Sequence, residues 1–196
     1  MIIGVNGFKG SGKDTVGKYL VDNYDFERVS FATKLKESAA ALFNIDPELW
    51  EQFKNSDEVF IGLMANNHPF DSPFNISNMS ARVFLQRYGT EAHREIFGED
   101  FWVEHAFKDI DPTKNYVFTD ARFPNELKKI RDVGGFNIQV IRLSNENTDT
   151  HASEVEPPVE LVDFVVFNDF DFDFLHREIE FCMDRIEEEV HGIKYS

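Results

Sequence analysis

The chain has 196 residues, which is the size of one domain with one or two insertions. It carries 36 acidic and 20 basic residues, and the net charge of −16 disfavours sequence-independent binding of nucleic acid, which needs clustered Lys and Arg. A hydrophobic content of 42% excludes a disordered chain. The single cysteine, Cys182, excludes a disulfide framework and a four-cysteine zinc site, and we expect it to be a packed thiol on a helix.

Two absences bear on location. No run of about 18 apolar residues is present, so we expect no membrane span. Residues 1–5 lack the basic region and the long apolar stretch of a signal peptide. Both absences favour a cytoplasmic protein.

Strands and helices alternate along the chain, which predicts an α/β protein with a central parallel sheet. Short apolar runs predict the strands, and apolar residues three and four apart predict the helices. In chain order, the predicted elements are a strand at 2–5, a helix at 14–24, a strand at 27–31, helices at 33–43, 79–97 and 100–108, a strand at 115–119, a helix at 125–133, strands at 136–143 and 164–167, and a helix at 171–190.

Residues 44–78 interrupt this alternation. They contain Pro47, Pro69 and Pro73 and show little periodicity. Long loops inside compact domains are usually functional or disordered. We therefore predict an insertion here, with a short helix near 47–54 followed by a long mobile loop.

A phosphate-binding motif lies between the first strand and the first helix. Residues 7–13, Gly-Phe-Lys-Gly-Ser-Gly-Lys, match the pattern G-x-x-x-x-G-K. Glycines allow successive backbone N–H groups to surround a phosphate, and the following helix directs its positive end at the anion. Lys13 can reach the β- and γ-phosphates of a nucleotide. The residues assigned to this loop are Lys9, Gly10, Ser11, Gly12, Lys13, Asp14 and Thr15.

The motif departs from the usual pattern after Lys13. Asp14 replaces the expected Ser or Thr, and the hydroxyl comes one residue later at Thr15, as in the Gly-Lys-Gly-Thr of adenylate-kinase-type enzymes. We assign Thr15 to the phosphate or Mg²⁺ shell. Two roles are open for Asp14: a favourable charge in the first turn of the helix, or orientation of Lys13 or of the metal's water shell.

Asp120 and Arg122 follow the predicted strand at 115–119. The carboxyl end of a parallel strand faces the ligand crevice of an α/β sheet. An aspartate there can hold water ligands of Mg²⁺, and a guanidinium can bridge the oxygens of a transferring phosphoryl group. The alternative is an Asp–Arg surface pair that closes a turn. The presence of the phosphate-binding motif at residues 7–13 favours the functional interpretation.

The helix at 79–97 carries two polar residues on one face. Ser80 is a plausible N-cap, Arg82 and Gln86 are four residues apart, and Gly89-Thr90 interrupts or kinks the helix. Arg82 could hold a monoester phosphate, and Gln86 could hold a base or sugar. An ordinary solvated helix face is the alternative.

Three further residues have two interpretations each. Trp102 could offer its indole as a stacking platform for a base, or it could be a buried core residue. His151 and Glu154 could contact adenine or close over ATP, or they could belong to a polar loop without a special role. No spacing resembles a zinc site, and no serine nucleophile motif is present.

Several segments together resemble the bacteriophage deoxynucleoside monophosphate kinases. The matching segments, in family order, are Gly10-Ser-Gly-Lys-Asp-Thr15, Phe31-Ala-Thr-Lys-Leu-Lys36, Arg82-x-x-Leu-Gln86-x-x-Gly89-Thr90, Trp102-Val103, Thr119-Asp-Ala-Arg-Phe-Pro-Asn-Glu126, Gly134-Gly135 and Thr150-His-Ala-Ser-Glu154. Only the first segment is specific alone, but their joint order spans nearly the whole chain.

The resemblance implies a three-layer P-loop kinase fold with a central parallel sheet. It implies one domain, with a core at about 1–43 and 110–196 and a mostly helical, mobile substrate-binding insertion at about 44–109. The implied reaction is transfer of the γ-phosphoryl group of ATP to a deoxynucleoside 5′-monophosphate, with Mg²⁺. A phage-encoded chain would act in the host cytoplasm, without a membrane partner and as a possible homodimer.

The resemblance also assigns residues to roles. The catalytic residues are Lys13, Arg82, Asp120 and Arg122, and Thr15 and Asp120 serve the metal, the latter through water. The acceptor set is Lys34, Arg82, Gln86, Thr90, Trp102, Asp120, His151 and Glu154. The segment 44–78 is shorter than the insertion of the T-even phage members, and no Arg-rich lid is evident. Arg122 is therefore the main lid candidate, with Lys128, Lys129 and Arg131 as weaker ones.

Two other functions remain open. The chain could phosphorylate a modified base such as 5-hydroxymethyluridine in phage DNA, although the charge of −16 argues against a polymeric acceptor. It could also be a nucleotide-binding regulator without catalysis. The presence of Lys13, Thr15, Asp120 and Arg122 argues against the regulator, since a binding module needs no second phosphate clamp.

Overall fold

The computed structural model describes residues 1–53, 80–144 and 156–192. The chain divides into two compact units. The first combines Met1–Phe31 with Phe107–Ser196, and the second is Ala32–Ala106. The division proposed from sequence, with a substrate-binding insertion at about 44–109, stays a prediction. The long loop predicted for that insertion falls mainly on residues 54–79, outside the described residues.

The described elements alternate as the sequence predicts. In chain order they are β1 (Ile2–Asn6), α1 (Lys13–Tyr24), β2 (Phe26–Val29), α2 (Ala32–Phe43), α3 (Leu49–Phe53), α4 (Ala81–Gly89), a π-helical segment (Thr90–Arg94), α5 (Glu95–Phe97), α6 (Phe101–Phe107), β3 (Asn115–Phe118), α7 (Pro124–Asp132), β4 (Phe136–Ile141), a 3-10 turn (Val159–Leu161), β5 (Phe164–Phe167) and α8 (Phe172–His191).

The five strands form one parallel sheet in the order β2-β3-β1-β4-β5. The predicted α/β fold with a central parallel sheet is therefore confirmed. β1 is the middle strand, and its Ile3 and Val5 are fully buried. This position explains why the strand is a continuous apolar run rather than an alternating one.

Helices cover both faces of the sheet. Ile3 and Val5 pack in one core cluster with apolar residues of α1 and α8. Gly4, between them, faces the other side, where a Cβ would lie only 2.5 Å from Cδ1 of Ile130 on α7. Because successive strand residues point to opposite faces, α1 and α8 lie on one face and α7 on the other. This arrangement is the expected three-layer fold.

The predicted helix at 79–97 is interrupted where Gly89-Thr90 suggested. Ser80 caps α4 by accepting a hydrogen bond from the N–H of Val83 (3.3 Å), as predicted. A π-helical segment then begins at Thr90 and continues into α5. π-Helical segments are rare in proteins, and those that occur are often found at functional sites.

The second unit has its own small core. Trp50 of α3 is fully buried together with Ala39, Ala40 and Ala81. Its indole Nε1 donates to the carbonyl of Lys36 (3.1 Å), and its ring stacks on Phe84 at 5.6 Å between centroids. These contacts hold α3 against α2 and α4. Within the described ranges, no helix is long and apolar enough to cross a membrane.

Candidate functional site

The loop between β1 and α1 has the backbone that its glycines require. Gly7, Gly10 and Gly12 all have positive φ, at 139°, 81° and 105°. A Cβ at Gly7 would lie 2.4 Å from the carbonyl oxygen of Val140. A Cβ at Gly12 would lie 2.2 Å from Nδ2 of Asn168. A side chain at Gly7 is thus opposed by conformation and by neighbouring backbone, and one at Gly12 by conformation and by the Asn168 side chain.

Lys13 is the first residue of α1 and is buried, with 8% of its surface exposed. Its Nζ donates a hydrogen bond to the carbonyl of Phe8 within the loop (2.9 Å). A buried ammonium is stable only when it is hydrogen-bonded or paired. The loop therefore holds the cation beside the glycine backbone that the sequence predicts to bind phosphate.

A cavity of about 490 Å³ adjoins this loop. Gly10, Gly12, Lys13, Asp14 and Thr15 line it, so it brings together most of the residues assigned to the phosphate-binding loop. Its other lining residues are Arg142, Asn168, Phe170, Asp171 and Phe172.

The five lining residues outside the loop were not selected as site residues from the sequence. Asn168 comes directly after β5, and its Nδ2 donates to the carbonyl of Ser11 (2.8 Å). Arg142 comes directly after β4. Asn168 follows the carboxyl end of the strand predicted at 164–167, the same signal that identified Asp120, and that signal could have found it. Arg142 lies inside the strand predicted at 136–143, so the predicted bounds concealed its position at the strand end.

Asp120 lies beyond the carboxyl end of β3 and joins it to the segment after β2. Its Oδ2 accepts from the hydroxyl of Ser30 (2.6 Å), and its Oδ1 accepts from the N–H of Phe31 (3.0 Å). These contacts end β2 at Val29, earlier than the predicted residue 31. An ionised carboxylate has about four lone-pair sites, so Asp120 can also accept from metal-bound water.

Arg122 belongs to a turn that Glu126 organises. Glu126 is buried, and its Oε2 accepts from the backbone N–H of Arg122 (2.8 Å) and of Phe123 (3.0 Å). Glu126 was not assigned a role from sequence. The sequence pattern that could have identified it is a glutamate in the first turn of a predicted helix, where the carboxylate can accept from free backbone N–H groups.

The weaker lid candidates on α7 have other contacts in the structure. Lys128 pairs with Asp132 at 2.5 Å, and Lys129 lies over the ring of Phe107. Arg131 pairs with Asp163 at 3.5 Å and also donates to the carbonyl of Glu160. The three side chains thus have contacts within the first unit, and their assignment to a lid stays a prediction.

The remaining described acceptor candidates belong to the second unit. Arg82 and Gln86 are half-buried on α4, and Thr90 is exposed at the start of the π-helical segment. Lys34 on α2 pairs with Glu37 at 3.3 Å. His151 and Glu154 lie outside the described residues.

Trp102 is a core residue of the second unit. Only 4% of it is exposed, and its indole Nε1 donates to the carbonyl of Gly89 (3.0 Å). This packing accounts for the residue without a ligand. It also places the indole at the junction between α4 and the π-helical segment. The predicted stacking of Trp102 on a base stays a prediction.

Oxygen donors rather than nitrogen or sulfur donors are available near the loop. Among the described residues, no three His, Cys, Asp or Glu side chains cluster as a metal site would need. The Oγ of Ser11 is buried and has no hydrogen-bond partner in the described part of the chain. A buried hydroxyl in this state retains the capacity to bond to a ligand or a water.

Comparisons with known proteins give one family. Residues 47–179 match the model of the deoxynucleotide monophosphate kinase family. A protein of Acanthamoeba polyphaga mimivirus, provisionally named as such a kinase, is 30% identical over 194 residues, covering 94% of this chain and 96% of its own. The deoxynucleotide monophosphate kinase of Enterobacteria phage T4 is 23% identical over 91% of this chain and 97% of its own. The deoxynucleoside-5′-monophosphate kinase of Escherichia phage T5 is 25% identical over 87% and 90%.

Proposed function

Because this chain belongs to the deoxynucleotide monophosphate kinase family, we propose that it transfers the γ-phosphoryl group of ATP to a deoxynucleoside 5′-monophosphate, giving a diphosphate. The observation that carries this proposal is the phosphate-binding loop. It has the required glycine backbone, a buried Lys13 and an adjoining cavity of about 490 Å³. The family match supplies the class of acceptor.

The donor ATP binds at this loop in the proposed reaction. Lys13 exchanges its contact with the Phe8 carbonyl for phosphate oxygens, and the loop amides donate to the same oxygens. The exposed rings of Phe170 and Phe172 line the cavity and offer aromatic surface for the base. Arg142, which also lines the cavity, adds a cation.

Mg²⁺ suits the donors that the residues supply. Thr15 offers a hydroxyl and Asp120 a carboxylate, and Mg²⁺ is usually held by a few such oxygens together with water and substrate phosphates. The contacts of Asp120 with Ser30 and Phe31 favour an interaction through water. When bound, the ion neutralises charge on the β- and γ-phosphates.

The acceptor is assigned to residues of the second unit. Arg82 holds its phosphate, and Lys34, Gln86, Thr90 and Trp102 contribute to the nucleoside site. Arg122 stabilises the charge on the transferring group. The acceptor phosphate oxygen is already a nucleophile near neutral pH, so the reaction needs positioning and charge neutralisation rather than a strong base.

Water exclusion and assembly complete the proposal. In the proposed reaction the Arg122 region closes on the substrate and limits hydrolysis of ATP by water. The protein acts in the cytoplasm, without a membrane or nucleic-acid partner, and can form a homodimer. A sizing experiment tests the dimer.

An ADP-release assay tests the activity. The panel holds Mg-ATP with each deoxynucleoside and ribonucleoside monophosphate and with a hydroxymethyluridine oligonucleotide. We expect turnover with deoxynucleoside monophosphates and its loss in Lys13→Ala. Turnover on the oligonucleotide alone would replace the acceptor, and ATP binding without any turnover would favour a regulator.

A further inference from the structure

One arginine of the first unit contacts two elements that carry site residues. Arg28 lies on β2, beside β3 in the sheet. Its Nε donates to the hydroxyl of Thr119 (2.9 Å), directly before Asp120. Its Nη2 donates to Oδ1 of Asp14, in the first turn of α1. A single guanidinium thus joins the phosphate-binding helix to the carboxyl end of β3.

The partner in α1 has a charge that opposes the function of the loop. Asp14 lines the same cavity as Lys13 and Thr15. A carboxylate beside a bound polyphosphate is a like-charge neighbour, which weakens anion binding unless a cation neutralises it. The ion pair with Arg28 supplies that neutralisation from outside the loop.

The second contact fixes the direction of the guanidinium. Thr119 is buried, and its Cγ2 lies 2.2 Å from where a Cβ on Gly17 would be. Thr119 is therefore closely packed between β3 and α1. A guanidinium anchored to this hydroxyl can present its remaining N–H groups to Asp14 in a reproducible geometry.

Exposure of the pair argues against a role in stability. The Arg28 and Asp14 side chains are 49% and 77% exposed. Ion pairs as exposed as this one contribute little to folding because solvent screens them. The ion pair itself should therefore contribute little to the unfolding transition.

We propose that Arg28 is a positioning residue of the donor site, which neutralises Asp14 and holds its carboxylate so that the loop can accept the phosphates of ATP. This role rests on the proposed function only in that ATP is the ligand of the loop. Arg28 itself need not touch ATP.

A double-mutant cycle tests the role of Arg28. ATP affinity is measured by calorimetry, without any acceptor, in the wild type, Arg28→Ala, Asp14→Asn and the double variant. We expect Arg28→Ala to weaken ATP binding about tenfold, equivalent to about 1.4 kcal/mol. Adding Asp14→Asn to Arg28→Ala should recover most of that loss, because the unneutralised charge is gone. Arg28→Ala and the double variant both lose the hydrogen bond to the Thr119 hydroxyl, so any fall in unfolding temperature should be similar in the two and would not account for the recovered ATP affinity.

Lys114→Ala is the matched control. Lys114 is 50% exposed and pairs with Glu27 on the same strand β2 rather than with Asp14. Removing it changes the net charge equally and should leave ATP affinity unchanged.

Three results would overturn the proposal: unchanged affinity in Arg28→Ala, the same loss in the double variant as in Arg28→Ala, or the same loss in Lys114→Ala. The calorimetry contains no acceptor, so it is independent of catalysis. If the four proteins bind ATP with the expected affinities but the ADP-release assay shows no turnover, only the kinase proposal is rejected. A wild-type chain that does not bind ATP would reject both.

Discussion

At the scale of single residues, Arg122 has a defined backbone position because the buried Glu126 carboxylate accepts from its N–H. We expect Arg122→Ala to lower kcat by about 10²-fold or more, with smaller changes in either KM, because transition-state charge loses its partner. Steady-state kinetics in both substrates measure the effect. Arg131→Ala is the comparison, since Arg131 already pairs with Asp163, and its kcat should change far less. An effect of Arg122→Ala on KM alone would contradict the role.

We expect Arg82 to bind the acceptor phosphate in the ground state rather than to stabilise the transition state. Arg82→Ala should raise the acceptor KM by about tenfold or more while ATP affinity persists, because a charge-assisted contact to the acceptor phosphate is lost. The measurements are acceptor kinetics and ATP calorimetry. Arg87→Ala on the same helix removes an exposed side chain paired with Glu91 and serves as the control. Loss of ATP binding in Arg82→Ala would exclude this assignment.

Gly12 is required by conformation and by contact with Asn168. A residue with a Cβ would be strained at the Gly12 φ of 105°, and its Cβ would lie 2.2 Å from Nδ2 of Asn168. Gly134 also has a positive φ, of 81°, but a Cβ there would meet nothing within 4 Å. We expect Gly134→Ala to cost about 1–2 kcal/mol of unfolding free energy, and Gly12→Ala to cost more and also to weaken ATP binding. Urea unfolding and calorimetry measure both. Equal costs would show that Asn168 yields without strain.

At the scale of elements, α1 and α8 meet through a polar contact. The Tyr19 hydroxyl donates to Oε1 of Glu180 (2.7 Å), and the Tyr19 ring stacks on His176 at 4.3 Å between centroids. The hydrogen bond to the Glu180 carboxylate, with burial, raises the pKa of Tyr19 from 10.0 to about 12. The protonated phenol is thus favoured in the folded state.

This pKa gives a pH dependence with a definite sign. Between pH 10 and about 12 the unfolded chain loses the Tyr19 proton while the folded chain keeps it, so stability falls as the pH rises. We expect Tyr19→Phe to lose less stability than the wild type across this range in urea unfolding. Comparison of the two proteins removes the contribution of other groups. Parallel curves would show that the contact is absent in solution.

Elements were predictable where a local pattern specifies them. The Gly89-Thr90 interruption, the Ser80 cap and the alternation of strands and helices follow from neighbouring residues, and the structure confirms them. The burial of Trp50 did not follow from such a pattern. It depends on α2 and α4 enclosing α3, which sequence spacing does not reveal.

At the scale of the whole molecule, Cys182 is a single-site probe of folding. It is the only cysteine in the sequence, and its thiol is buried on α8 as predicted. Burial, with the nearby Glu178 charge, raises its pKa to about 11. We expect a thiol reagent at pH 8 to label the native protein at least about 10²-fold more slowly than the urea-unfolded chain, because little thiolate forms and access requires opening.

ATP extends this experiment to ligand binding. A ligand that binds only the folded state lowers the population of open forms, so ATP should slow the labelling further. The Lys13→Ala variant should show no such slowing. Labelling that is as fast in the native protein as in urea would contradict the buried position of Cys182.

The sequence by itself determined the class of fold, the phosphate-binding loop and the family resemblance. The loop and the elements depend on local patterns, because a glycine motif or a helical period lies within a few neighbouring residues, and the resemblance is a series of such short motifs in order. The order of the strands and the wall of the cavity were decided only by the tertiary structure. Asn168 meets Ser11 across 157 positions, and Arg28 meets Thr119 across 91. Such contacts arise from packing of the parallel strands and their helices, and no local pattern encodes which distant side chains that packing brings together.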